Sequence, residues 1–178
     1  MVLSVASKCV GAEKAFQKLV NSFPRDFQTV WDSRHTTPKL LALASRVGCE
    51  ELINAVAKGA TAEGEGLSLR QMSFEKALDK LGGVDVTIKV DNKVIGIDIT
   101  TDDGAYIEKR RKLLFKWNEG RKKLLKALKF HHVIVVVWEV NSWSELTESQ
   151  KGELAEALLI HIENQEGKDS FCSQLILE

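Results

Sequence analysis

Two aspartates, Asp85 and Asp98, lie inside the stretch GGVDVTIKVDNKVIGIDITTD (82–102), which otherwise alternates like a pair of β-strands. Acids are disfavoured in strands, and two in one hairpin call for a reason. A two-residue type I′ turn at Asp91-Asn92 pairs Val90 with Lys93. Counting back, Val86 faces Ile97, Ile88 faces Ile95, and Asp85 falls opposite Asp98. The register that gathers the branched aliphatic residues on one face therefore brings the two carboxylates together on the other. Like charges across a ladder repel. Either a divalent cation joins them, as Mg²⁺ does with carboxylate oxygens at about 2.0–2.1 Å, or both face open water and are screened. A third acid, Glu75, stands at the edge of the apolar stripe Phe74, Ala77, Leu78 and Leu81 of the segment before the hairpin.

The elements that position these residues read as follows. SVASKCVGAEKAFQKLV is amphipathic, Thr37-Pro38 offers a cap and a first-turn proline for PKLLALASRV, and CEELINAVAKG forms another helix. TAEGEG (61–66) is a loop, and Ser68 is the expected N-cap of LRQMSFEKALDKL, which stops at Gly82-Gly83. After the hairpin, TTDDG (100–104) caps a long basic helix with Tyr106, Leu113, Trp117, Leu124 and Leu128 at helical spacing. HHVIVVVWEV (131–140) is the continuous apolar run of a strand buried on both faces, so a parallel strand–helix–strand unit is expected. Thr147 caps a final helix, and FCSQLIL (171–177) is a last strand or a terminal arm. The fold class is α/β: a helical N-terminal region over 1–66, packed on a core over 67–178.

Composition is that of an ordinary globular chain: 178 residues, 44% hydrophobic, 28% charged, formal net charge zero. That neutral total hides an uneven distribution. Lys109, Arg110, Arg111, Lys112, Lys116, Arg121, Lys122, Lys123, Lys126 and Lys129 stand against one acid, Glu119, whereas the C-terminal part is acidic. A basic surface of this kind suits a polyanion, although most lysine-rich helices are simply solvated faces. The longest apolar run, VIVVVW, is far too short for a bilayer, and no signal peptide is legible. Cys9, Cys49 and Cys172 are odd in number and scattered, as expected of reduced cysteines in a cytoplasmic protein. His131-His132 lack a third ligand and read as structural or surface residues, and His35 and His161 are isolated. No phosphate-binding glycine loop and no nucleophile elbow occur.

An acid on a helix, a hairpin bearing Asp and then the position of an (Asp/Glu)-x-Lys motif, a crossover helix and a buried strand together resemble the PD-(D/E)XK nuclease superfamily, over about residues 68–140. The resemblance implies a restriction-endonuclease-like core with a mixed sheet, and Mg²⁺- or Mn²⁺-dependent hydrolysis of nucleic-acid phosphodiesters, with DNA the expected partner. Position by position, Glu75 matches the helix acid, Asp85 the Pro-Asp aspartate (with Val84 in place of the proline) and Asp98 the first residue of the second motif. The metal set implied is Asp85, Asp98, the carbonyl of Ile99, and Glu75 through a water. Thr100 stands where the family has its lysine. A threonine is neither cationic nor a good base, and Lys109 or Lys112 on the next helix are the replacements by position. Lys109, Arg110, Lys112, Lys116, Arg121, Lys122 and Lys123 would hold the nucleic-acid backbone. A homodimer is allowed, and no membrane association is expected. Two other readings remain open: a non-catalytic nucleic-acid-binding member of the same fold, and a protein-interaction module.

Overall fold

The computed structural model describes residues 14–23, 27–29, 36–62, 68–100, 119–138, 143 and 145–177. Residues 14–21 are helical (α1), followed by β1 (Gln28–Thr29), α2 (Thr37–Arg46), α3 (Glu50–Ala62), a 3₁₀ turn (Leu69–Gln71) and α4 (Phe74–Gly82). Then come β2 (Val86–Val90), β3 (Lys93–Thr100), α5 (Glu119–Ala127), β4 (His132–Trp138), α6 (Glu148–Asn164) and β5 (Cys172–Leu177). The strands form one five-stranded mixed sheet in the order β1-β2-β3-β4-β5. β1, β2 and β3 pair antiparallel, and β3, β4 and β5 pair parallel. The chain is therefore α/β, as its pattern predicts.

The hairpin closes as its sequence requires. Asp91 and Asn92 have φ of 47° and 65°, the left-handed pair of a type I′ turn, and Val90 faces Lys93. Val86 faces Ile97 and Ile88 faces Ile95, so the aliphatic set of both strands enters one core. That core joins Phe16, Leu19 and Val20 of α1 to Leu154, Leu158 and Ile162 of α6. The other face of the sheet packs on α2 to α5 through Leu40, Leu52, Leu78, Leu81, Leu124 and Leu125. With helices on both sides, β4 is buried at every position, which is why its sequence is continuously apolar. Gly96 is the one β3 position where a backbone must come close: a Cβ there would meet Val84 Cγ2 at 2.9 Å.

Several local expectations need correction. The first third is not wholly helical, because Gln28–Thr29 joins the sheet against Ile88 and Lys89. α2 has Thr36, not Thr37, at its N-cap position; the Thr37 hydroxyl instead donates to the Met72 carbonyl at 2.8 Å, tying α2 to the segment before α4. The expected helix from Ser68 is two elements. Ser68 and Gln71 form a capping box on the 3₁₀ turn, Met72 turns extended, and Ser73 caps α4 by accepting the Lys76 N–H. Such a cap is worth about 1 kcal/mol, enough to favour a fresh start over a strained continuation. Thr147 caps α6 as expected, in a capping box with Gln150. FCSQLIL resolves as a strand, parallel to β4 over six residues.

Candidate functional site

Asp85 precedes β2 immediately, and Asp98 lies in β3, where both are half-buried. The ladder stops at Val86–Ile97, one residue short of the expected Asp85–Asp98 pairing. Ile97 faces Val86, yet its carbonyl also accepts the Asp85 N–H at 2.9 Å. Alternation fails at the same point, since Val84 packs against α4 and α5 while Val86 packs in the opposite core. Two residues against one, with a broken alternation, is a β-bulge. It corrects the simple register: Asp85 is not a mirror image of Asp98 across a regular ladder. Instead its Oδ2 accepts the Ile99 N–H at 2.8 Å, so the carboxylate caps the backbone of β3 beside Asp98. The bulge re-aims the side chain and brings Asp85, Asp98 and Ile99 to one end of the hairpin.

The third acid stands differently. Glu75 occupies the first turn of α4, half-buried, where a carboxylate is favoured by the helix dipole whether or not it has another role. Among the described residues, no three of His, Cys, Asp and Glu come together as a metal-binding group. Glu75 therefore completes no three-carboxylate cluster with Asp85 and Asp98. What the site offers a cation is the pair of aspartates and the backbone of Ile99, with water for the rest of a shell. That donor set suits Mg²⁺, which keeps several waters and takes one or two carboxylates.

Among the described basic residues, Arg121 packs against the turn that precedes β2. α5 lies beside α4, and a Cβ on Gly83, two residues before Asp85, would meet the Arg121 Nη1 at 3.4 Å. Gly83 caps α4 in the left-handed conformation with φ 68°, so this position admits the guanidinium without strain. The Arg121 Nε is buried and has no hydrogen-bond partner among the described residues. Lys122 is half-buried and Lys123 exposed on the same helix. The side chain of Thr100 and the residues Lys109, Arg110, Lys112 and Lys116 lie outside the described residues.

Asp98 is felt further along the sheet. Burial, and after it the negative charge of Asp98, push the Cys172 thiol up to about 12, so this cysteine stays protonated. Burial likewise raises Cys49, whose thiol donates to the Gly120 carbonyl at 3.0 Å. Neither is a reactive thiolate.

A polar cluster that the sequence hides sits at the other end of the parallel strands. Ser173 Oγ lies 2.6 Å from His132 Nε2 and 2.7 Å from His161 Nε2. Ser173 has one hydroxyl proton, so it donates to one imidazole and accepts from the other. Burial, then the neighbouring His161, hold His132 down at about 4; burial, then Lys168, also lower His161. His161 is thus not isolated, and His132 is a buried structural residue. No sequence spacing signals this triad, because it depends on β5 aligning with β4 so that Ser173 faces Ile134.

Comparison of the chain with models of known families, with curated proteins and with solved structures found no match.

Proposed function

We propose that the chain is a metal-dependent nuclease of the PD-(D/E)XK type, hydrolysing phosphodiester bonds in nucleic acid, with DNA the expected substrate. The observation that carries this reading is the hairpin end, where a bulge sets Asp85 against the Ile99 N–H beside Asp98. It is supported by the order in which helix, hairpin, helix and parallel strand follow one another. Asp85, Asp98 and the Ile99 carbonyl would hold Mg²⁺ or Mn²⁺, whose contribution when bound is to neutralise phosphate charge and acidify a water. Arg121 brings a fixed positive charge against Gly83, suited to a phosphate oxygen next to the acids. Lys122 and Lys123 extend that charge along α5 for sequence-independent backbone contacts.

Thr100 in place of the motif lysine favours a second reading, in which the same site binds nucleic acid without cutting it. Incubation of the full chain with duplex, branched and single-stranded DNA and with RNA, in Mg²⁺ or Mn²⁺, separates the two. Cleavage that Asp98→Ala lowers by about 100-fold or more supports the enzyme, since the change removes a metal ligand from a site with only two carboxylates. Retention of nucleic acid without cleavage leaves the binding reading. If neither occurs, both are wrong.

A further inference from the structure

At the N-terminal ends of the parallel strands, where β4 and β5 begin, a cavity of about 350 Å³ opens between β3, β4 and the end of α6. It is separate from the acidic site: Ile95 in its wall is three residues from Asp98, about 10 Å along the strand. Its size falls within the range of small-molecule pockets. The floor is apolar. Ile95 and Ile162 are almost wholly buried there, and the buried ring of His132 has its Nε2 taken by Ser173.

The rim is polar, and one of its donors is held in place. His131 exchanges two bonds with Val94: its N–H donates to the Val94 carbonyl at 2.8 Å, and its Nδ1 accepts the Val94 N–H at 3.0 Å. The ring proton must then sit on Nε2, which makes His131 a fixed donor. Lys93 is ion-paired with Glu166, so the one carboxylate among the described lining residues is already compensated. Lys168 is exposed, makes no ion pair among the described residues, and sits in the turn that closes α6, where its backbone N–H donates to the Gln165 carbonyl. The C-terminal end of α6 by itself favours cations. Its carbonyls at His161, Ile162 and Glu163, however, are already taken by the N–H groups of Gln165 and Glu166.

We propose that this cavity binds a small organic oxyanion, with an apolar body against Ile95 and Ile162 and its carboxylate or phosphate between Lys168 and His131. The site does not depend on the nuclease reading. Its test is an amide NMR titration of the full chain with benzoate and with phenyl phosphate, beside neutral benzyl alcohol and cationic benzylamine. The amides of Val94 and Gly167 should shift with one or both anions at a Kd of about 1 mM, as expected for ligands of this size. The two anions distinguish a carboxylate from a phosphate headgroup. Lys168→Glu, a change at an exposed rim position, should weaken the anions about fivefold or more and leave the rest of the spectrum in place. Stronger binding of benzylamine than of the anions, equal binding of benzyl alcohol, or no shift with either anion would overturn the proposal.

Discussion

The acidic end of the hairpin and the histidine cluster at the base of β4 and β5 treat their polar groups in opposite ways. At the base, Ser173 saturates two imidazoles, and the result is a neutral, closed network holding β5 to β4 and α6. At the hairpin end, a bulge interrupts the ladder and spends one carboxylate oxygen of Asp85 on the backbone of β3, next to a second acid. The first arrangement serves the fold. The second breaks the ladder and seats one acid on the β3 backbone next to Asp98, an arrangement that a bound cation would stabilise. Burial alone does not tell the two apart; the direction in which the hydrogen bonds are satisfied does.

The comparison can be broken by removing one polar group at each end. Ser173→Ala leaves two half-buried imidazole nitrogens without a partner, and it should cost about 2–4 kcal/mol in denaturant unfolding at neutral pH. A loss below about 0.5 kcal/mol would mean the cluster is solvated and holds nothing. Asp85→Ala orphans the Ile99 N–H and should cost about 1–3 kcal/mol, whereas Asp85→Asn keeps an acceptor and should cost less than about 1 kcal/mol. Both substitutions should abolish the proposed metal-dependent cleavage. Equal stability of the two variants would show that the Ile99 bond is not what seats the side chain.

The smallest effect is on pH dependence. His132 is held near 4 in the folded chain, against about 6.5 when unfolded, so the unfolded state takes up the proton first as pH falls. This stability is present in full above about pH 6.5 and is lost on the way down to about pH 4, amounting to roughly 1 kcal/mol by pH 5.5. His161, lowered in the same direction, adds to the slope. His132→Gln should flatten the dependence of the urea midpoint between about pH 7 and pH 5. An unchanged slope would place the acid sensitivity elsewhere.

Much of the molecule follows from local sequence. The Asp91-Asn92 turn, the branched aliphatic alternation and the apolar run of β4 set the hairpin register and the buried parallel strand, because turn chemistry and side-chain period act over a few residues. Tertiary structure decided the rest. The bulge at Asp85 arises because Val84 is drawn over Gly96 into the core of α4 and α5, which no alternation count registers. Ser68 reads as the cap in the sequence, yet Ser73 caps α4, and the Thr37–Met72 bond accompanies the choice of where α4 begins. His132, His161 and Ser173 come from three segments and meet only when β5 pairs with β4, as Lys93 meets Glu166 only when the end of α6 reaches the hairpin turn. Contacts of that kind are set by how faces pack and strands align, and the spacing of residues along the chain does not encode them singly.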